Sequence, residues 1–309
     1  MKLALVFPGQ GSQSIGMMQA YGDAPVVRAT FDEASAALGE DLWRLAAEGP
    51  AEAQALTVNT QPLMLAAGVA VYRLWRERGG AEPALVAGHS LGEYSALVAA
   101  GALEFRDAVP LVRLRARAMQ EAVAAGQGAM AAILGLDEEG VRAACAEAAR
   151  GEVVSAANFN GPGQTVIAGH AAAVARAAEA AKAKGAKRAV MLPVSAPFHC
   201  SLMAPAAERL ESRLAEVTVA RPRIPVLHNA DVQAHAEPQA IRDALVRQSY
   251  SPVRWTETIQ AMAGQGVTHV YECGPGKVLA GLTRRIAGTL QGGALADAAS
   301  LEQALAETK

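Results

Sequence analysis

Aromatic side chains are scarce in this chain of 309 residues, at 4%. Large rings therefore cannot dominate the core, and the abundant alanine points to helix-rich layers packed through small side chains. Cysteine is rarer still. Cys145, Cys200 and Cys273 have an odd count and no metal-ligand spacing, so they read as free thiols in a reducing compartment rather than a disulfide framework. Long hydrophobic runs are missing as well, because charges or turn residues interrupt every apolar stretch before it reaches bilayer length. The first such stretch, Leu3 to Phe7, follows a single lysine and breaks at Pro8-Gly9, well short of a signal-peptide core. Neither charge is in excess. With 28 basic and 30 acidic residues, a general nucleic-acid binder is excluded, and an acidic partner would need a local basic patch. Half the residues are apolar and 19% are charged, the balance of a globular and not a disordered chain. A cytoplasmic protein is expected, built as one large domain with an insertion or as two unequal domains.

Short apolar runs at Leu3 to Phe7, Ala84 to Ala87 and Val267 to Glu272, each ending at glycine or proline, read as buried parallel strands. Helical spacing follows in Gln61 to Arg78, Leu91 to Ala100 and Phe105 to Ala124. Alternating strand and helix predict an α/β core with a mostly parallel sheet. From 128 to 192 the pattern changes. Strands at Ala129 to Leu134, Val153 to Ala157, Thr165 to Ala168 and Ala189 to Leu192 alternate with helices at Asp137 to Ala149 and Ala171 to Lys184. The turn-rich Asn158-Phe159-Asn160-Gly161-Pro162-Gly163 separates the middle pair of strands. The order βαββαβ is that of a split-βαβ or ferredoxin-like motif, inserted between 1–127 and 193–309. Residues beyond Leu290 read as a terminal helix or a frayed tail.

Gly88-His89-Ser90-Leu91-Gly92 is a G-x-S-x-G pentapeptide between a predicted strand and a predicted helix. A nucleophile elbow needs glycines on both sides, because the tight turn leaves no room for a Cβ, and it lifts the serine hydroxyl to a helix N-terminus. The competing reading is a plain βα turn with a capping serine. Such a serine needs a base. Among six histidines, His199 has the most suggestive setting, in a proline-containing loop after a strand. His89 is expected to point away from its neighbour Ser90, and His170, His228, His235 and His269 to be surface or hydrogen-bonded residues. The carboxylates between Ser90 and His199, such as Asp107, Asp137 and Glu138, fall in predicted helices. The Ser–acid–His order of a standard hydrolase is therefore absent.

Several further motifs occur with these in fixed order: Phe7-Pro8-Gly9-Gln10-Gly11-Ser12-Gln13, Arg115, Asn158 to Gln164, Phe198-His199 and Glu272-Cys273-Gly274-Pro275-Gly276. Together they resemble the malonyl-CoA:acyl carrier protein transacylase family of type II fatty acid synthesis, over nearly the whole chain. The resemblance implies an α/β-hydrolase-like core with a ferredoxin-like insert. It makes Ser90 the nucleophile and His199 the base, with the Gln10 and Leu91 backbone N–H groups as oxyanion hole. It gives Arg115 to the malonyl carboxylate, Phe198 and Asn160 to substrate contact, and the Gln248 main-chain carbonyl to orienting His199. Gly9-Gln10-Gly11 as a dinucleotide fingerprint is the weaker reading, since the third glycine position is Ser14. Taken alone, Arg113, Arg115 and Arg117 look like a solvated helix face. Alternate helical residues lie about 200° apart, so Arg115 can turn inward while the other two stay outside.

The implied partners are malonyl-CoA and an acidic acyl carrier protein, with no cofactor or metal, and a monomer is expected. Lys182, Lys184, Lys187, Arg188, Arg284 and Arg285 are candidates for the basic patch, although each alone reads as ordinary surface charge. A polyketide pathway, a serine thioesterase or other hydrolase, and a non-catalytic scaffold are the alternatives. Phe198 should crowd an α-methyl branch. Phe198→Ser is expected to raise methylmalonyl relative to malonyl kcat/KM by about tenfold, and an unchanged ratio removes that role.

Overall fold

The computed structural model describes residues 1–308. Its strands, in chain order, are β1 Leu3–Phe7, β2 Leu85–Gly88, β3 Gly128–Leu134, β4 Val154–Gly161, β5 Gln164–His170, β6 Arg188–Met191, β7 Val226–Leu227 and β8 His269–Glu272. They form two sheets. One is parallel with order β7-β2-β1-β8, the other antiparallel with order β4-β5-β3-β6. The mixed α/β class expected from sequence is thus present.

All five β1 residues are buried, because helices cover both faces of a central parallel strand. Each large apolar side chain removed from water there contributes roughly 1.5–3 kcal/mol. The helix Thr57–Glu77 packs most of its length into the same core, against Phe7 among others. β7 is the strand with no sequence signal, since two residues are too few for any periodicity. It matters because Asn229, just beyond it, reaches the elbow.

In the antiparallel sheet, alternation divides β3 by face. Ala131 and Ile133 pack beneath the helices Glu138–Ala149 and Ala171–Ala183, against Ala144, Ala148, Ala173 and Ala177. Met130 turns the other way, toward Val166, Ala168, Cys200 and Phe198. Small helical residues allow the close helix–sheet contact that the shortage of aromatics implied.

Two sequence expectations change. The stretch Asn158 to Gly161 belongs to β4, and only Pro162-Gly163 turns. Register shifts at 156/158 and 159/161 let polar residues stay in this irregular strand, and Val253 pairs along it. The end of the described chain is a helix, Ala298–Thr308, with Leu301, Ala304 and Leu305 buried. Gln291 and Ala294 form parallel bridges to β8, and the Tyr21 hydroxyl donates to the Leu295 carbonyl at 2.6 Å. These contacts remove the frayed-tail alternative. Among the described residues, no helix is long and apolar enough to cross a membrane.

Candidate active site

The C-terminal ends of β1 and β2 carry the site. β2 ends at Gly88, and the helix Gly92–Ala99 begins four residues later. A Cβ on Gly88 would lie 1.8 Å from the Gly92 carbonyl carbon, and one on Gly92 would lie 2.0 Å from the Phe7 oxygen. Both positions therefore require glycine. Between them Ser90 is held at φ 52°, a left-handed conformation that costs a non-glycine residue about 1–3 kcal/mol. Asn229 holds it there. Its Oδ1 accepts from the Ser90 N–H and its Nδ2 donates to the Gly88 carbonyl, both at 2.7 Å.

His199 is buried and also left-handed, at φ 60°. Its Nδ1 lies 2.9 Å from the Gln248 carbonyl, and its Nε2 lies 2.7 Å from Ser90 Oγ. A carbonyl only accepts, so the proton sits on Nδ1 and the Nε2 lone pair faces the serine hydroxyl. Burial, and after it the charge of Arg115, pulls the imidazole pKa down to about 3.

Arg115 points inward from the helix Phe105–Glu121 and is 2% exposed, while Arg113 pairs with Glu40 and Arg117 faces solvent. Its Nη1 donates to Gln61 Oε1 at 2.8 Å and its Nη2 to Gln248 Oε1 at 2.9 Å. Nη2 also comes within 3.3 Å of Ser90 Oγ, and the guanidinium lies over the Tyr94 ring. Burial lowers its pKa from the usual arginine value. A guanidinium held by neutral oxygens keeps its charge available for an anion.

These groups line a cavity of about 140 Å³ together with Gln10, Leu91, Met119, Met130, Asn158, Leu192, Val194 and Phe198. The Gln10 and Leu91 N–H groups donate to no other protein group among the described residues. Asn160 is not on this wall. Its Oδ1 lies 2.8 Å from His89 Nε2, and Asn158 lines the cavity instead. His89 is among the residues at the cavity, and its ring contacts Asn160 and Trp255 rather than Ser90. His228 is fully buried, its Nδ1 2.7 Å from Glu93 Oε1. Sequence reasoning missed Glu93, Asn229 and Gln61. The one available signal was a carboxylate three residues past an elbow serine, on a helix turn that had to be buried.

Of the candidate basic residues, Arg285 reaches Gln164 Oε1 at 2.6 Å and the Pro162 carbonyl at 3.2 Å. The Gly163 carbonyl accepts from Gly135 N–H, and the Lys187 stem packs on Gly135. Lys187 and Arg285 thus flank one pair of turns. Arg188 and Arg284 are exposed, whereas Lys182 pairs with Glu179 and Lys184 with Glu147.

A parallel sheet with an elbow serine at its edge, a buried histidine and an inward cation suits acyl transfer. The family described as the acyl transferase domain matches residues 4–291. The malonyl CoA-acyl carrier protein transacylase of Escherichia coli strain K12 is 57% identical over 98% of this chain and 99% of its own. An acyl-carrier-protein S-malonyltransferase structure from Burkholderia pseudomallei 1710b superposes with a TM-score of 0.98, at 61% identity over 99% of this chain and all of the other. A malonyl-transacylase solved in complex with a type II PKS acyl-carrier protein also superposes at 0.98, with 53% identity over 99% and 100% of the two chains. The chain belongs to the acyltransferase family, within its malonyl CoA-acyl carrier protein transacylases.

The lowered His199 pKa has a measurable consequence. The unfolded histidine titrates near 6.5, so below that pH the unfolded chain binds a proton that the folded one does not. Stability is therefore lost as pH falls from about 6.5 toward 3, by up to about 1.4 kcal/mol per pH unit. Urea denaturation across that window should show a shallower pH dependence for His199→Gln than for wild type. Equal slopes would contradict the assignment.

Proposed function

We propose that Ser90 is the nucleophile and His199 its general base, and that Arg115 holds the carboxylate of the acyl group. The chain transfers the malonyl group from malonyl-CoA to the phosphopantetheine thiol of acyl carrier protein, by ping-pong transfer through an acyl-enzyme, for fatty acid synthesis. The observation that carries the residue assignment is the meeting at Ser90 Oγ of His199 Nε2 at 2.7 Å and Arg115 Nη2 at 3.3 Å.

His199 Nε2 takes the Ser90 proton as Oγ attacks the thioester carbonyl, and the oxyanion is met by the N–H groups of Gln10 and Leu91. The C–S bond breaks, and the CoA sulfur leaves with the proton from His199. The carrier thiol then gives its proton to His199 and attacks the malonyl-serine ester, and Ser90 Oγ recovers that proton on leaving. A malonyl carboxylate on Arg115 offsets the positive charge that depresses the His199 pKa, so the correct substrate strengthens the base it needs. Phe198 and Met130 bound the acyl group. Asn160 acts on the substrate wall through His89. No cofactor enters, because each proton and charge is met by a protein group.

In this reading residues 128–192 are a ferredoxin-like insert, and 1–127 with 193–309 are an α/β-hydrolase-like catalytic domain. The strand order β4-β5-β3-β6 supports the former and the parallel sheet with its elbow the latter. The cytoplasm fits three free, buried thiols. A monomer suffices, since every group invoked comes from one chain. The relative solved with a type II PKS acyl-carrier protein favours a second reading, in which a polyketide carrier protein is also served.

Incubation with malonyl-CoA should leave malonate on Ser90, read by intact and peptide mass. Arg115→Ala should lose malonyl acylation by about 100-fold (about 3 kcal/mol) while acetyl acylation changes little. Equal losses for the two acyl groups would refute the clamp. The carrier protein is taken to dock near Lys187, Arg188, Arg284 and Arg285. Lys187→Glu with Arg285→Glu should raise KM for carrier protein by about tenfold with little change in kcat. An unchanged KM removes the patch.

A further inference from the structure

Both groups that aim Arg115 are neutral amide oxygens, those of Gln61 and Gln248. An amide side chain has an accepting end and a donating end, so pointing the oxygen of Gln248 at Arg115 requires its amino group to be held the opposite way. Gln248 Nε2 donates to the Ser90 carbonyl and to Glu93 Oε2, each at 2.9 Å. Glu93 is 0% exposed and is itself fixed. The same Oε2 accepts from the Asn229 N–H at 2.9 Å, and Oε1 faces His228 Nδ1 at 2.7 Å. An Oε2 that already accepts from the Asn229 N–H serves as an acceptor, so Gln248 presents its amino group to it.

We propose that Glu93 is a positioning residue for malonate recognition. By accepting from Gln248 Nε2 it fixes the direction of that amide, and Gln248 acts as a neutral relay that holds Arg115 at Ser90 with its charge uncancelled. The proposal rests on the reading of Arg115 as the carboxylate clamp. A carboxylate touching Arg115 would aim it equally well, but would occupy the fork that the substrate needs. Placed one residue back, Glu93 supplies direction without occupying the fork. Gln248 orients His199 through its main chain and Arg115 through its side chain, and Glu93 contacts only the side chain. Glu93 Oε2 also accepts from Asn229, which holds Ser90. Loss of the Glu93 acceptor therefore reaches both thioesters alike through the elbow and malonyl further through Arg115. The malonyl-to-acetyl ratio isolates the second effect.

The test compares rates of Ser90 acylation by malonyl-CoA and acetyl-CoA in the full chain, followed by intact mass. In Glu93→Gln the amide oxygen replaces Oε2 for both Gln248 and Asn229, and the amino group faces the other His228 tautomer. Glu93→Leu should slow malonyl acylation at least about tenfold more than acetyl, and Glu93→Gln should keep the wild-type ratio within about threefold. If Glu93→Leu does not fold, Gln248→Leu, which keeps its carbonyl on His199, should show the same selective loss. Arg115→Ala runs alongside. Should it slow both thioesters equally, the clamp reading fails. If its loss is malonyl-selective but Glu93→Leu, or Gln248→Leu in its place, slows both equally or neither, the relay is overturned. A changed ratio in Glu93→Gln also overturns it.

Discussion

A guanidinium buried without a carboxylate against it is the constraint around which the rest of the site is arranged. Removing such a charge from water costs several kcal/mol unless hydrogen bonds replace the lost hydration. Arg115 receives that replacement from two glutamine oxygens and the face of Tyr94. None of these is negative. In the proposed reading this leaves the site open to an anion next to the serine that would carry it. Burial first, and the same charge after it, make the neighbouring imidazole a weaker base.

A second constraint is conformational. Ser90 and His199 are both left-handed, and neither is glycine, so each needs neighbours that forbid relaxation. For Ser90 those neighbours are the glycines at 88 and 92, which let the loop after β1 press onto the turn, and the Asn229 side chain, which spans it. For His199 the Gln248 carbonyl fixes one ring nitrogen and the serine the other. Hydrogen bonds to the backbone do here what a third carboxylate does in an ordinary triad.

Much of this was legible in the sequence because it is local. The elbow is five consecutive residues whose glycines are dictated by sterics. Helical periodicity permits Arg115 to turn inward between Arg113 and Arg117, and the family resemblance supplied the reason to expect it. β1 announced itself as an unbroken apolar run. What escaped notice depends on distant pairing. β7 is two residues long, and Asn229 beyond it means nothing until β2 lies alongside. His228 was expected to be a surface or hydrogen-bonded residue, but its partner, Glu93, is 135 positions away and could not be named. Asn158 to Gly161 read as a turn by composition, yet it is strand, because bulges and Val253 accommodate the asparagines. His89 was expected to point away as the neighbour of Ser90, and its ring does reach elsewhere, to Asn160 and Trp255.

The cavity has one wall from each sheet. Ser90, Leu91 and Arg115 come from the parallel-sheet layer, while Met130 and Asn158 come from β3 and β4. Part of the chamber's lining, Met130 and Asn158, is therefore written in a stretch of chain separate from Ser90 and Arg115. Drift in the antiparallel sheet can reshape the chamber while the strained turn and its proton path stay untouched. Such a division makes one reaction easy to retune for new acyl groups, and it makes β3 and β4 the natural place to begin engineering them.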